Sequence, residues 1–175
     1  MKNIVIISRE ANTFSDAIAD RLLKYLDSKN TFVVHTTDTS LSVDLTRQSQ
    51  RELVDAENIF LIFPIIWGSM GWCMKKFIDD VLEYNIAYFY NGNIKMSEFK
   101  NKKIHYITCC RGTPEQMEEA MNSYHFVLKQ CLNEFFELDE QLWLPIYDIK
   151  DDRELNTHKL DSTEKIFSTL GFDQK

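Results

Sequence analysis

The feature that most constrains the fold is an alternation of short apolar runs with helical patterns. Residues 4–7, 59–63 and 104–108 are short, largely apolar runs that contain β-branched side chains. Such runs are typical of strands that are buried on both faces, as in a parallel sheet. Residues 14–26 and 72–82 instead carry apolar side chains three or four positions apart, which is the spacing of an amphipathic helix. Strands that alternate with helices predict an α/β fold around a parallel sheet.

The remaining segments continue this alternation. They are an edge strand at 31–37, a helix at 45–53 that Asp44 can cap, helical periodicity at 115–136 in one or two helices, a last strand at 142–149 and a charged helix at 151–170. Pro64 is expected to end the third strand. Ligands of parallel sheets bind beyond the carboxyl ends of the strands, so the loops at those ends form the candidate site.

Composition excludes several classes of protein. The 175 residues are 44% hydrophobic and 27% charged, which predicts one globular domain over residues 1–175. The net charge of −7 has the wrong sign for a broad nucleic-acid-binding face. The four cysteines show no zinc-site spacing, so no metal is expected and a reduced, cytoplasmic chain is the simpler interpretation. The first apolar run is also too short for a signal-peptide core or a membrane span.

The first loop at this edge is residues 8–15. Its small side chains Ser8, Asn12, Thr13 and Ser15 offer hydrogen-bond donors, and the N–H groups at the following helix start add more. This combination suits a phosphate group, although the loop is neither a P-loop nor a dinucleotide fingerprint. The alternative is that Thr13 or Asn12 simply caps the helix.

The second loop, residues 63–72, is apolar and aromatic where turns are usually polar. A flat hydrophobic ligand such as a flavin or a nucleobase could cover such a surface. The alternative is that Trp67 and Trp72 pack into the core. The residues that would form a wall for the ligand are Pro64, Ile65, Ile66, Trp67 and Gly68.

The third loop, residues 108–115, follows another buried strand. Gly112 would permit a close backbone approach, and Arg111 adds a positive charge where the second wall of the site should be. The adjacent Cys109 and Cys110 suggest redox chemistry, but free cysteines at a strand end are more often small buried hydrophobes.

These residues resemble a known family. The segment 55–81, DAENIFLIFPIIWGSMGWCMKKFIDDV, resembles the signature of the flavodoxin-like NAD(P)H:quinone oxidoreductases. That family includes the modulator-of-drug-activity proteins and the ancillary flavoproteins of potassium-efflux systems. The segments AYFYNGN and FKNKKIHYITCCRGTPE and the helix start Asn-Thr-Phe-Ser add to the likeness. It covers most of the chain up to about Glu115 and resumes weakly around 142–149.

The resemblance implies a three-layer sandwich with a five-stranded parallel sheet of order 2-1-3-4-5. It also implies a homodimer that holds FMN or FAD and passes two electrons from NAD(P)H to quinones or similar acceptors by a ping-pong route. FMN is favoured because the chain is short. By the same resemblance, the phosphate contacts fall on Ser8, Thr13, Phe14 and Ser15, and the flavin-ring contacts fall on Pro64, Ile65, Ile66, Trp67, Gly68, Thr108, Arg111 and Gly112.

The chain departs from the family pattern at several places. Ser8 stands where the family usually has His, Gly71 replaces a Pro, and Cys109, Cys110 and Arg111 stand where Thr-Gly-Gly is common. Neither Tyr124 nor His125 matches a family proton donor, so none is assigned. Arg9 and Arg111 both remain candidates for the 2′-phosphate of NADPH.

Two alternatives stay open beside the quinone reductase. They are a flavin-binding regulatory subunit or electron carrier that acts on a protein partner, and a family member that has lost its flavin. For the dimer, the expected interface is an aromatic cluster of Tyr84, Tyr88, Phe89 and Tyr90.

Overall fold

The computed structural model describes residues 1–9, 14–37, 39, 41–136, 140–150 and 153–169. In chain order the elements are β1 (Asn3–Ser8), α1 (Ser15–Leu22), a short 3₁₀ turn (Ser28–Asn30), β2 (Thr31–Thr36), α2 (Val43–Asp55), β3 (Asn58–Ile66), β4 (Ser69–Met70), α3 (Trp72–Val81), β5 (Tyr88–Asn91), β6 (Ile94–Ser97), β7 (Lys103–Cys109), α4 (Pro114–Phe136), β8 (Glu140–Ile146) and α5 (Arg153–Thr169).

Five parallel strands form the central sheet in the order β2-β1-β3-β7-β8. Counted without β4, β5 and β6, this is the order 2-1-3-4-5, so the predicted flavodoxin-like topology is confirmed. The order reverses between β1 and β3, and the ligand sites of such sheets lie at that point.

Alternate side chains of each strand enter two separate cores. In β1, Ile4 and Ile6 pack in a cluster that also holds apolar side chains of α2, α3 and α4. Val5 and Ile7 pack in a second cluster with side chains of α1 and α5. Successive strand side chains point to opposite faces, so helices cover the sheet on both sides. The predicted three-layer arrangement follows from this covering.

The polar character of β2 agrees with its place at the sheet edge. Four of its six residues are only partly buried, whereas every residue of β1 is buried. The register that places Ser8 beside Thr36 brings the ends of these two strands level.

Two predicted boundaries are wrong for physical reasons. The cap of α2 is Ser42, whose hydroxyl accepts a hydrogen bond from the Leu45 N–H at 3.2 Å, and Asp44 lies inside the helix. Pro64 does not end β3. The pairing with β1 stops at Ile62, so Pro64 lies where β3 has a ladder partner on one side only, a position that tolerates proline.

Two other segments end differently from the pattern, and the long helical pattern ends at residue 136 as predicted. The helix α1 stops at Leu22, and tighter bonds from the Lys24 and Tyr25 N–H groups form the next turn. Tyr25 and Leu26 remain buried, which explains why the apolar spacing continues beyond the helix. The long pattern after the third loop is one helix, and β8 ends at Ile146 rather than at 149.

Two short hairpins were not predicted. The pairs Ile65–Met70 and Ile66–Ser69 join β3 to β4 through a two-residue turn, and this segment, residues 65–70, is called the Trp67 hairpin below. The second, the aromatic hairpin of residues 88–97, joins β5 to β6 through a turn at Gly92, whose φ is +62°. Such tight turns need positive φ, which glycine adopts freely.

In the part of the chain that the structure describes, no helix is both long enough and apolar enough to cross a membrane.

Candidate functional site

The parallel register brings the three predicted loops to one edge of the sheet. Ile7 of β1 lies beside Ile62 of β3, and Pro64 of β3 lies beside Cys109 of β7. The chain therefore leaves β1, β3 and β7 on the same side. Asn12 and Thr13, two of the predicted site residues, lie outside the described residues.

Among the described residues, no side chain caps the start of α1 at this edge. Its N-cap position is occupied by Phe14, which makes no capping hydrogen bond, and the Asn12 and Thr13 of the capping alternative lie outside the described residues. The first N–H groups of a helix have no partner within the helix and lie at the positive end of its dipole. An uncapped start is therefore suited to an anion.

Ser15, the first residue of α1, contributes a buried hydroxyl. The residue is fully buried, and its Oγ has no hydrogen-bond partner among the described residues. Thr36, at the end of β2, has the same property, and sequence reasoning missed it because that strand carried no site motif. Buried polar groups without partners are uncommon and call for an explanation, such as a missing ligand.

The first and third loops meet through Cys109. Its thiol lies beside the Phe14 N–H and the Ser15 hydroxyl, and neither contact outweighs burial, which raises the pKa of the thiol to about 12. The Ser15 contact does not complete an ordinary hydrogen bond. The protonated thiol is a poor nucleophile.

The two adjacent cysteines do not form a redox pair in this fold. Cys109 packs in the core on the α1 side of the sheet, whereas Cys110 packs in the core on the α3 side. Both are buried, both are free thiols, and burial raises the pKa of each. Their environments are those of small hydrophobic side chains.

The second loop becomes the Trp67 hairpin. Trp67 and Gly68 form its turn, with φ values of +51° and +76°, as a type I′ turn requires. Trp67 is fully exposed and Trp72 is 56% exposed, so the core-packing alternative is wrong for both. Ile66 is also exposed. Pro64 and Ile65, two further predicted ring contacts, are buried.

Two residues of the third loop that were predicted to contact the flavin ring, Thr108 and Gly112, contact other residues of the protein. Thr108 is buried, and its hydroxyl accepts a hydrogen bond from the Trp143 indole at 2.9 Å. Gly112 does permit a close approach, but the group that approaches is Met117 of α4. A Cβ at Gly112 would collide with the Met117 side chain. Arg111 is exposed at the surface of the loop.

Residues after β8 hold the third loop through backbone hydrogen bonds. The Asp148 N–H donates to the Gly112 carbonyl at 2.8 Å, and the Ile149 N–H donates to the Cys110 carbonyl at 2.9 Å. Lys159 of α5 donates to the carbonyls of Tyr147 and Asp148. It also binds the Asp148 carboxylate. Lys159 and Asp148 are far in sequence from the loop at residues 108–115, so no sequence motif in the loop predicted that they would support it.

Charged side chains line the rim beside α1. The Arg9 Nε donates to the Asp16 carboxylate at 3.2 Å, and the His35 Nδ1 lies 3.4 Å from the same oxygen. Burial and the Arg9 charge lower the pKa of His35. Of the two arginines considered for the 2′-phosphate of NADPH, Arg9 is therefore already paired with a carboxylate.

Tyr124 of α4 reaches the Trp67 hairpin. Its phenol is half-buried beside the Met70 N–H and the Ser69 hydroxyl, and burial raises its pKa. Sequence reasoning noted this tyrosine but gave it no role, since its distance along a helix hides which loop it contacts.

The comparisons agree with this architecture. Residues 1–163 match the family described as having a flavodoxin-like fold. A search of curated protein sequences gave no match for this chain.

Many solved structures have a similar fold. Smu.1420 from Streptococcus mutans UA159 is 19% identical, with a TM-score of 0.73, over 95% of this chain and 99% of its own. An NAD(P)H:quinone oxidoreductase from Methanothermobacter marburgensis is 13% identical, with a TM-score of 0.74, over 100% and 99%. An FMN-dependent NADH-azoreductase from Bacillus anthracis, solved with FMN, is 13% identical, with a TM-score of 0.67, over 97% and 99%. At these identities the likeness establishes a shared fold.

Proposed function

Because this chain belongs to the flavodoxin-like fold family, we propose that it is a flavin-dependent oxidoreductase. Its donor is NAD(P)H and its acceptor is a quinone or a similar electrophile. The observation that carries the proposal is the meeting, at one sheet edge, of an uncapped helix start with an exposed aromatic hairpin. The names of two structural neighbours, an NAD(P)H:quinone oxidoreductase and an FMN-dependent NADH-azoreductase, support the same chemistry.

The phosphate of FMN fits the start of α1. The helix lacks a side-chain cap, and the Ser15 hydroxyl has no hydrogen-bond partner among the described residues. A phosphate supplies strong acceptors for N–H and hydroxyl donors and is stabilised by the positive end of the helix dipole. The other members of the proposed phosphate site are Ser8, Phe14 and, outside the described residues, Asn12 and Thr13.

The flavin ring fits the second and third loops. Ile66 and Trp67 offer an exposed apolar wall, and Gly68 leaves open space beside it. Pro64 and Ile65 hold that wall from the buried side. The proposed opposite wall consists of Arg111, Gly112 and the Thr108 backbone, held by the contacts of Asp148. Planar ligands are commonly bound by such a stiff apolar wall with a few polar groups.

The hydride chemistry itself would come from the bound flavin, with NAD(P)H and the acceptor visiting the site in turn. The chain's own task is to bind the phosphate, orient the ring and leave one face of it open. Its buried Cys109 thiol, with a raised pKa, takes no part as a nucleophile.

The proposed assembly is a homodimer. Tyr84 and Tyr90 are about half exposed and stack on each other at 6.5 Å, and Ile94 and Met96 of the aromatic hairpin are also exposed. Tyr88 and Phe89 are more buried. An apolar surface of this kind is typical of an interface. We propose a cytoplasmic location, because the described Cys109 and Cys110 are thiols rather than disulfides, as is usual in a reducing compartment.

The test is a visible spectrum of the purified protein, followed by thermal unfolding with added FMN and then by NADH or NADPH with a quinone. We expect a flavin spectrum, a higher unfolding temperature with FMN, and quinone-dependent oxidation of the nicotinamide. Bound FMN without nicotinamide oxidation would favour the electron carrier. A colourless protein that FMN does not stabilise would refute the cofactor.

A further inference from the structure

The Trp67 hairpin is too small to hold its own shape. It contains two ladder pairs, Ile65–Met70 and Ile66–Ser69, and a two-residue turn. An isolated two-stranded hairpin is at best marginally stable in water. Other parts of the protein must therefore determine the direction in which its tip points.

The tip receives no support from packing in the described structure. Trp67 is fully exposed, and a Cβ placed at Gly68 would meet no atom within 4 Å. The side chain that should form the ring wall thus lies on a turn that only its two strands can orient.

The base of this hairpin, formed by Ile65 of β3 and Met70 of β4, packs on the core. Ile65 is 8% exposed and belongs to the cluster on the α3 side of the sheet, and Met70 packs against that cluster. Ser69, by contrast, is exposed. These apolar contacts hold the base of the hairpin. They do not involve the polar groups of β4, namely the Ser69 hydroxyl and the Met70 N–H.

Tyr124 supplies that partner. It packs against the same core cluster from α4, and its phenol lies at the Ser69 hydroxyl and the Met70 N–H. The ring thereby packs on the core cluster that also holds Ile65 and contacts Met70, and the hydroxyl lies beside both residues of β4. A phenol is neutral at physiological pH and can therefore donate as well as accept.

We propose that Tyr124 is a positioning residue that fixes the Trp67 hairpin through Ser69 and Met70 and so sets the orientation of the proposed ring wall. The effect on flavin rests on the proposed function, whereas the anchoring of the hairpin does not. Tyr124 acts through Trp67, so its loss should weaken the ring contacts and leave the phosphate contacts intact.

The first test measures the hairpin without any flavin. Replacing Trp72 and Trp143 with Phe leaves Trp67 as the only tryptophan, and Tyr124→Phe is then compared with this background by time-resolved fluorescence anisotropy. We expect faster local motion of Trp67 in Tyr124→Phe, because the substitution removes the hydroxyl and keeps the ring. Tyr147→Phe is the matched control, since Tyr147 is another half-buried tyrosine that packs against the same cluster.

A second variant separates anchoring from general loosening. Ser69→Ala should increase Trp67 motion less than Tyr124→Phe, because the Met70 N–H remains. The double variant should match Tyr124→Phe alone, as expected for groups that act together. Unchanged Trp67 motion in Tyr124→Phe, or equal changes in Tyr147→Phe, would overturn the proposal.

The flavin test uses FMN and riboflavin in the otherwise wild-type chain. Tyr124→Phe should raise the dissociation constants of both ligands by the same several-fold factor, because both carry the ring. A loss for FMN alone would place Tyr124 at the phosphate and contradict the proposed role. If the wild-type protein binds neither ligand, the proposed function fails, and the anisotropy result still decides whether Tyr124 anchors the hairpin.

Discussion

The Cys109 thiol at the end of β7 lies against the Ser15 hydroxyl at the start of α1. The strand β3 separates β7 from β1 in the sheet, so this contact joins two loops that are far apart in sequence. The phosphate end and the third loop of the proposed site therefore form one connected unit.

Replacing Ser15 with Ala should weaken FMN about tenfold or more and leave riboflavin nearly unchanged. A hydrogen bond to a charged group contributes roughly 1.5–3 kcal/mol, and riboflavin lacks the phosphate. Fluorescence titration of both ligands measures the difference.

Ser49→Ala is the matched control for this substitution. Ser49 is also a fully buried helical serine whose hydroxyl has no partner among the described residues, but it lies in α2. It should leave the affinity for FMN unchanged. Equal losses of FMN and riboflavin in Ser15→Ala would show that the phosphate is not bound there.

Replacing Trp67 with Ala should cost roughly 2–4 kcal/mol of affinity for both FMN and riboflavin, the scale of losing a large aromatic contact. The free energy of unfolding should change by less than about 0.5 kcal/mol, because Trp67 is fully exposed. In a chain whose only tryptophan is Trp67, FMN should also strongly quench its fluorescence.

Trp143→Phe provides the opposite pattern. It removes the bond to the buried Thr108 hydroxyl, which should lower the free energy of unfolding by about 1–3 kcal/mol. Its effect on flavin affinity should be smaller than that of Trp67→Ala. Normal FMN binding and quinone turnover in Trp67→Ala would remove the Trp67 hairpin from the site.

The stability of the fold should fall in alkali, partly through Cys109. Burial raises the pKa of this thiol from 9.0 to about 12, so the unfolded chain loses the proton first. The stabilising contribution is therefore complete below pH 9.0 and is lost as the pH rises toward 12. The slope for one such group is about 1.4 kcal/mol per pH unit.

The measurement is urea unfolding at a series of pH values above neutrality for wild type and Cys109→Ser. Serine does not titrate there, so the variant should lose stability less steeply. Cys110 and Tyr106, whose pKa values burial also raises, contribute equally to both proteins. Identical slopes would mean that the thiol ionises as readily in the folded state as in the unfolded state.

Replacing Ile94 with Glu should convert the proposed dimer into a monomer, because a charge would enter its apolar interface. Val43→Glu is the control: Val43 is 66% exposed and Ile94 is 67% exposed, but Val43 lies on α2. Light scattering at micromolar concentration should show a dimer for wild type and Val43→Glu. A monomeric wild type, or a dimeric Ile94→Glu, would contradict the proposed interface.

Sequence patterns predicted the sheet because a strand that is buried on both faces must be apolar at every position, which is visible as a continuous apolar run. Ile4 to Ile7 enter two different cores in alternation, so each must be apolar, and the run is visible without any structure. The predicted cap of α2 was wrong because two neighbouring residues compete for the same role. Ser42 and Asp44 can both cap a helix, and the backbone at Ser42 decided between them.

The site was predicted in part for the same reason. The order of the loops along the chain and the topology of a parallel sheet place Ser15, Ile66 and Arg111 at one edge. Sequence could not predict that Trp67 would be exposed, because an apolar residue beside a strand can face a core or a turn. That outcome depended on where β3 ended and on the positive φ of Trp67 and Gly68.

By itself, the sequence determined the five parallel strands, the helices between them and the edge at which a ligand would bind, because these depend on periodicity and chain topology, whereas the strand order came from the family resemblance. Only the tertiary structure decided which side chains meet across that edge. Cys109 lies against Ser15, Tyr124 reaches Ser69, and the Asp148 N–H donates to the Gly112 carbonyl, although each pair is far apart in sequence. Such contacts depend on how helices and loops pack on the sheet. The sequence around either residue of a pair does not indicate that packing.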